Sequence, residues 1–211
     1  MNLSIVDPKD DRVYENKIGT PMSNLAEPLH CALQLKSEFN IERHFLTILF
    51  ADVVNYSRLV EIDDLKTVLH LERLRSGVIR PMAERHGASI VRSFGGDGLV
   101  ISFADPVHAV LCAIDLQKQV RAKEMSWSVD DTVRFRIGIA MGPILLVNGN
   151  LHGVAINVAA RLQSLAAPEE IWVAKPVVRQ VHHAPSIVFE PLGRLQLRNI
   201  KESVEAYRVS A

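Results

Sequence analysis

The apolar and polar positions of this chain switch between two periods, and the switches lay out strands and helices in an irregular order. HFLTILFADVV, residues 44–54, is a nearly continuous apolar run and predicts a strand covered on both faces. NYSRL after it predicts a turn into a helix, with Ser57 as N-cap. Residues 58–86 form a long charge-laced helical region, with Leu59, Val60, Leu65, Val68, Leu69, Leu71 and Leu74 apolar and Pro81 as its break. VRSF and LVISF flank Gly95-Gly96-Asp97-Gly98, so residues 91–103 read as a hairpin with an acidic residue in a glycine turn. Asp105-Pro106 opens a helix that faces a core with Val107, Val110, Leu111, Ile114 and Leu116. A polar loop follows over 124–132. RFRIGIAMG, 134–142, is a strand, and after Pro143 the run ILLVNGN, 144–150, returns as a second one. GVAINVAARLQSLA, 153–166, is a small-residue helix. EIWVAK is a short strand, 175–183 a helix, and IVFEPL, LQLRNI and VEAYRV finish the chain as strands. The expected class is α+β, helices packed on a mainly antiparallel sheet. Ahead of this domain, 41–211, lies an extension, 1–40. Its first 20 residues read as a loosely ordered arm, and 22–39 as a short helix through Leu29, Leu33 and Leu35.

Composition narrows the class without naming it. The 211 residues are enough for one sizeable core. Lys+Arg and Asp+Glu are both 24, which argues against a generally basic nucleic-acid face. Cys31 and Cys112 are far apart and lack metal-ligand spacing, which fits a reducing cytosol. The polar N-terminus is no signal peptide, and no apolar run reaches the roughly 20 residues of a spanning helix. The expected location is cytoplasmic.

Two constellations carry candidate chemistry. Asp52 ends one strand and Asp97 sits in the hairpin turn; if those strands are neighbours, both carboxylates address one spot. Two hard oxygen ligands beside a turn with free backbone N–H groups suit Mg²⁺ carrying a polyphosphate. Two unrelated turn aspartates would give the same sequence. Asn157 and Arg161 are four apart and share one face of a helix otherwise made of small residues. Arg suits charge building on a phosphoryl group and Asn a ribose or phosphate oxygen. A solvated Arg and a capping Asn are the plainer alternative.

FADVV with Asp52, GGDG with Asp97, GVAINVAARL with Asn157 and Arg161, and the closing LRNIKESVEAYRV together resemble the catalytic domain of class III nucleotidyl cyclases. The likeness covers about residues 44–210, with the motifs in order. It implies a ferredoxin-like core and a head-to-tail homodimer with active sites at the interface. It makes Asp52 and Asp97, with Val53 beside them, the holders of two Mg²⁺ or Mn²⁺ ions. Asn157 and Arg161 become transition-state residues given by the opposite protomer. Arg198, in LRNI, falls where the family places a triphosphate-binding basic residue, and Asn55 and Ser57 border the same phosphates. The implied reaction is attack of a ribose 3′-OH on the α-phosphorus, giving a 3′,5′-cyclic nucleotide and pyrophosphate.

The chain leaves the family pattern where the base is read. Adenylate cyclases of this family typically use a Lys four before the second metal Asp and an Asp or Thr seven before the catalytic Asn. Here those positions hold Ser93 and Asn150, and Arg92 lies one residue earlier. An Asn amide offers a donor and an acceptor side by side, which complements uracil and, flipped, cytosine, and can also pair N6 and N1 of adenine; Arg adds donors for a carbonyl. Tyr56 replaces the Phe often found there, where it either fills space left by a smaller base or packs in the core. With its short length, the chain is similar to stand-alone bacterial cyclases that include the pyrimidine cyclases of anti-phage defence. The sequence therefore points to UTP as substrate and cyclic UMP as product, then to ATP, then to CTP and GTP. A silent nucleotide-binding domain is the competing class.

Overall fold

In a computed structural model, which describes residues 39–125, 132–181, 183–184 and 187–210, the apolar run becomes the central strand. This is β1, Ile41–Val53. Strand side chains alternate faces, and the buried half of β1 obeys this: Leu49, Ala51 and Val53 face one core, and Leu46, Ile48 and Phe50 face another.

After β1 come α1 (Tyr56–Ile62), α2 (Asp64–Leu74), a π-helical turn (Arg75–Ile79) and α3 (Arg80–Arg85). The hairpin β2 (Ala88–Phe94) and β3 (Gly98–Phe103) precedes α4 (Pro106–Glu124). Then follow β4 (Phe135–Val147), β5 (Asn150–His152), α5 (Val154–Leu165), β6 (Ile171–Ala174), α6 (Lys175–Val181), β7 (Val188–Leu195) and β8 (Val204–Ser210). The sheet order is β2-β3-β1-β4-β6-β8-β7, with β5 paired to β4. β4 and β6 pair in parallel, and the other pairs run antiparallel. The order β2-β3-β1-β4, with helices between β1 and β2 and between β3 and β4, is the ferredoxin-like core expected of an α+β chain. Helices α1–α4 and α6 cover one face of the sheet, and α5 covers the other.

Three expectations need correction. The helical region 58–86 is not continuous up to Pro81. It breaks at Asp63, which is extended and caps α2 by accepting from the Lys66 amide at 2.9 Å, and it loosens into the π-helical turn before Pro81. Pro81 sits in the first turn of α3, where its missing N–H costs little. Within that region Leu59, Leu71 and Leu74 are buried, but Leu65, Val68 and Leu69 stand exposed. Residues 134–150 do not fold back at Pro143: β4 runs through it, paired to Phe45, and the return is made at Asn148-Gly149. Both have positive φ, 49° and 77°, as a tight Asn-Gly hairpin turn requires. LQLRNI is not a separate strand: β7 ends at Leu195, and Leu197 is buried on the α5 side. The N-terminal arm, the helix over 22–39 and most of the 124–132 loop lie outside the described residues, apart from Phe39. Among the described residues no helix is long and apolar enough to cross a membrane.

Candidate active site

Strand parity puts Asp52 on the α5 face, where Leu46, Ile48 and Phe50 also point. Antiparallel pairing sets Ala51 opposite Leu99, so the end of β1 lies beside the β2–β3 turn that carries Asp97. Gly95 and Gly96 take positive φ, 63° and 93°, and let a short turn close between Phe94 and Gly98. Arg75, on the π-helical turn, hydrogen-bonds the Gly96 carbonyl and ties that turn to the helical layer. The Asp52 and Asp97 carboxyl groups come within hydrogen-bond reach. Burial pushes the Asp52 carboxyl above the usual carboxylate range, the Asp97 charge and hydrogen bond push it further, and Arg136 opposes both. β1 and β3 are neighbours, and the two aspartates come together at one spot.

Two residues at this spot carried no motif. Arg136 lies directly across from Asp52 in the β1–β4 register and donates to its Oδ2 at 3.0 Å. Gln163, buried under α5, donates to the same oxygen at 3.3 Å. Only the pairing register could have exposed Arg136, since it is 84 residues away in sequence.

An open cleft of about 640 Å³ runs beside the aspartates, lined by Val53, Asn55, Tyr56, Ser57 and Arg136 among others. Asn55, not Ser57, is the N-cap of α1; its φ of 56° is left-handed, and its side chain makes no cap bond. Ser57 falls in the first turn, and Tyr56 packs its ring on the larger core while lining the cleft. The donor set suits a divalent cation: two carboxylates that repel each other, in an open polar cleft. Among the described residues no third His, Cys, Asp or Glu joins them, so a cation there would draw its other ligands from water, backbone and substrate. Mg²⁺ commonly does this.

Asn157 and Arg161 project from the exposed side of α5, while Ala155, Val158, Ala159, Leu162 and Gln163 are buried. Close packing fixes that side. A Cβ at Gly138 on β4 would lie 2.1 Å from the Ala159 carbonyl, and one at Gly153 would lie 2.7 Å from the Pro143 carbonyl. Asn157 lines a different cleft, about 990 Å³, with Lys175, Arg194, Asn199, Lys201 and Glu205. Within one chain, then, Asn157 and the two aspartates occupy different clefts. Arg198 is exposed in the β7–β8 connection, whose Asn199 and Lys201 border the Asn157 cleft.

Of the base-reading candidates the structure joins two and separates two. Arg92 shares the α5 face with its partner Val100 and donates to the Gly149 carbonyl at 2.9 Å, beside Asn150. Ser93 is on the opposite face, in a small pocket with Arg75, Ser76 and Arg80. Tyr56 stays with the aspartates.

A family model described as "Adenylate and Guanylate cyclase catalytic domain" matches residues 42–211. A Rhizobium meliloti (strain 1021) protein named "Putative adenylate cyclase 3" is 32% identical over 168 residues, 80% of this chain and 28% of that protein. The chain thus spans less than a third of that relative's length. Among solved structures, an adenylate/guanylate cyclase/hydrolase from Silicibacter pomeroyi shares 32% identity with a TM-score of 0.72, covering 81% of this chain and 98% of that one. The adenylyl cyclase CyaB from P. aeruginosa shares the fold, with a TM-score of 0.73 at 20% identity, covering 81% of this chain and 96% of that one.

Proposed function

The chain belongs to the adenylate and guanylate cyclase catalytic domain family, and on that premise we propose that it converts a nucleoside triphosphate into a 3′,5′-cyclic nucleotide and pyrophosphate. One observation carries the proposal: the carboxylates of Asp52 and Asp97 meet over an open cleft, while Asn157 and Arg161 stand exposed on the outer side of the same chain. Such halves make one site when two copies face each other head to tail, each giving its aspartates to one site and its α5 residues to the other.

Asp52 and Asp97, with the Val53 carbonyl, would hold one or two Mg²⁺ or Mn²⁺ ions. When bound, such ions lower the pKa of the attacking hydroxyl and neutralise triphosphate charge. The protein's own part is orientation and charge. Asn55 and Ser57, at the first turn of α1, border the phosphates. Arg198 of the other copy adds a cation to the triphosphate. Asn157 orients the ribose, so that the 3′-oxygen lies in line with the α-phosphorus. The 3′-hydroxyl gives its proton to water, the 3′-oxygen–phosphorus bond forms, the bond from the α-phosphorus to the bridging oxygen breaks, and pyrophosphate leaves with that oxygen. Arg161 offsets the negative charge that grows on the α-phosphoryl oxygens.

The finer reading is UTP as the preferred nucleotide. Its support is the approach of Arg92, whose guanidinium donates to the Gly149 carbonyl, the residue before Asn150. Ser93, on the other face, leaves the pair. The printed names of the relatives favour ATP. The test incubates the full chain with Mn²⁺ and each of the four ribonucleoside triphosphates and identifies products by mass spectrometry. Cyclic UMP as the dominant product supports the finer reading. Cyclic AMP as the dominant product overturns it and keeps the cyclase. No cyclic product from any nucleotide overturns the cyclase.

A further inference from the structure

The π-helical turn Arg75–Ile79 has no part in the proposed reaction, yet it stands beside the hairpin that carries Asp97. Such turns are rare and cluster at functional sites. This one has a direct consequence for two side chains. Five residues of α-helix leave a pair of side chains about 140° apart. Here the Arg80 amide donates to the Arg75 carbonyl and closes the wider turn, which stacks Arg80 over Arg75. Both guanidiniums therefore line one pocket of about 100 Å³ against β2, together with Glu72, Ser76 and Ser93. Donors outnumber acceptors in it. Glu72 pairs with Arg75 Nη1 at 2.6 Å, so one of the two positive charges stays unbalanced. Arg75 Nη2 holds the Gly96 carbonyl, and Arg75 Nε is buried without a partner. Ser76 offers no proton, because its hydroxyl donates to the Glu72 carbonyl at 2.8 Å. Among the described residues, neither the Arg80 guanidinium nor the Ser93 hydroxyl has a partner. A water would meet a donor but not the charge, whereas an oxyanion meets both.

We propose that this pocket binds a small tetrahedral oxyanion, inorganic phosphate or sulfate, held by Arg75 Nε, the Arg80 guanidinium and the Ser93 hydroxyl. At about 100 Å³ it admits one such ion and not a nucleotide. It is separate from the proposed reaction, since Arg80 and Ser93 line neither the aspartate cleft nor the Asn157 cleft. The bound ion also steadies the hairpin. With Nε occupied, the Arg75 guanidinium is held by Glu72, by the ion and by the Gly96 carbonyl at once, and the residue after Gly96 is Asp97. This second step rests on the reading of Asp97 as a metal ligand.

Calorimetry of the full-length chain, in chelator and without nucleotide, titrates inorganic phosphate against chloride at equal ionic strength. The parent should bind phosphate with a Kd on the order of 1 mM and show no such binding of chloride. A triphosphate cradle attracts phosphate too, so variants decide the place. Arg80→Met should weaken the binding at least about tenfold, and Ser93→Ala about threefold. Both side chains are exposed, so neither change endangers the fold. Turnover is then measured with Mn²⁺ and saturating nucleotide, adding sulfate, which leaves Mn²⁺ in solution. Sulfate that competes with the triphosphate raises KM alone, whereas sulfate in this pocket should raise the parent's kcat at least about twofold and leave the kcat of Arg80→Met unmoved. Folded Arg80→Met that binds phosphate as tightly as the parent overturns the pocket, as does a parent that treats phosphate and chloride alike. A parent kcat indifferent to sulfate overturns the link to the hairpin. A chain that makes no cyclic nucleotide but binds phosphate through Arg80 overturns the cyclase and upholds the pocket, so the two failures stay distinct.

Discussion

Gly138 is the position at which a single methyl group should separate the chemistry of α5 from its mere presence. It lies on β4 opposite Phe50, under the helix that carries Asn157, Arg161 and Gln163. A Cβ there would sit 2.1 Å from the Ala159 carbonyl oxygen and 2.4 Å from the Gln163 amide nitrogen. Both obstacles are backbone, so no side chain can rotate away. Ordinary contact begins near 3.4 Å, so helix and strand must part by about 1 Å. Overpacking of this kind costs about 1–3 kcal/mol, and the stiffer unfolded chain of Ala returns about 0.4–1. The net loss for Gly138→Ala is about 1–2 kcal/mol, or a melting temperature lower by about 3–6 °C for a domain of this size. A shift of about 1 Å in Asn157 and Arg161 should cost about a hundredfold in turnover. Gly142→Ala is the control: on the same strand and under the same helix, its Cβ would meet the Ala155 Cβ at 3.4 Å. It should melt within about 2 °C of the parent and keep its activity. Melting is followed by far-ultraviolet circular dichroism and turnover by cyclic-product formation. If Gly138→Ala and Gly142→Ala behave alike, the close seat of α5 does not position the site.

Two further outcomes follow from the aspartates and their turn. The Asp52 carboxyl is raised above its ordinary 3.8 by burial first and by Asp97 next, so the metal-free fold loses stability as pH climbs from that value through the raised one. Asp97→Asn should therefore be more stable than the parent in chelator at pH 7, with the gain vanishing below about pH 4; added Mn²⁺ should stabilise the parent and not the variant. Equal urea midpoints at pH 7 would refute the repulsion. Arg75→Met should release the Gly96 carbonyl and lower stability by about 1–2 kcal/mol in urea titration, with a larger loss of turnover than of nucleotide KM. A fourth outcome concerns the dimer: neither Asp97→Ala nor Arg161→Ala should be active alone, but mixed heterodimers should recover part of the activity through one intact site. Proven heterodimers without activity would refute the shared site.

Local chemistry was enough to read much of this protein from its residues. The run 44–54 had to be a strand, and its stretch from Leu46 to Ala51 is buried on both faces, because those residues are nearly all apolar. The glycines at 95 and 96 had to make a turn, and Asn157 and Arg161 had to share a helix face. Errors fell where a decision is not local. The strand through Pro143 runs against the local signal of a Pro, because the register that overrides it belongs to the pairing of β1 with β4; the break at Asp63 was local and legible, an Asp cap accepting from the Lys66 amide. Ser93 and Arg92 are one residue apart, and sequence cannot say which of two neighbours on a strand faces the site; β2–β3 pairing sends them to opposite faces. Arg136 and Gln163 had no motif because their meaning is a distance to Asp52 across 84 and 111 residues. The sequence by itself determined which chemical groups the chain owns and which secondary structure displays them, since turn, period and residue type act over a few positions. Only the tertiary structure decided which carboxylate oxygen is held, which neighbour points inward, and that Asn157 lies in a different cleft from the aspartates, because those depend on register and on how closely one helix can approach a glycine.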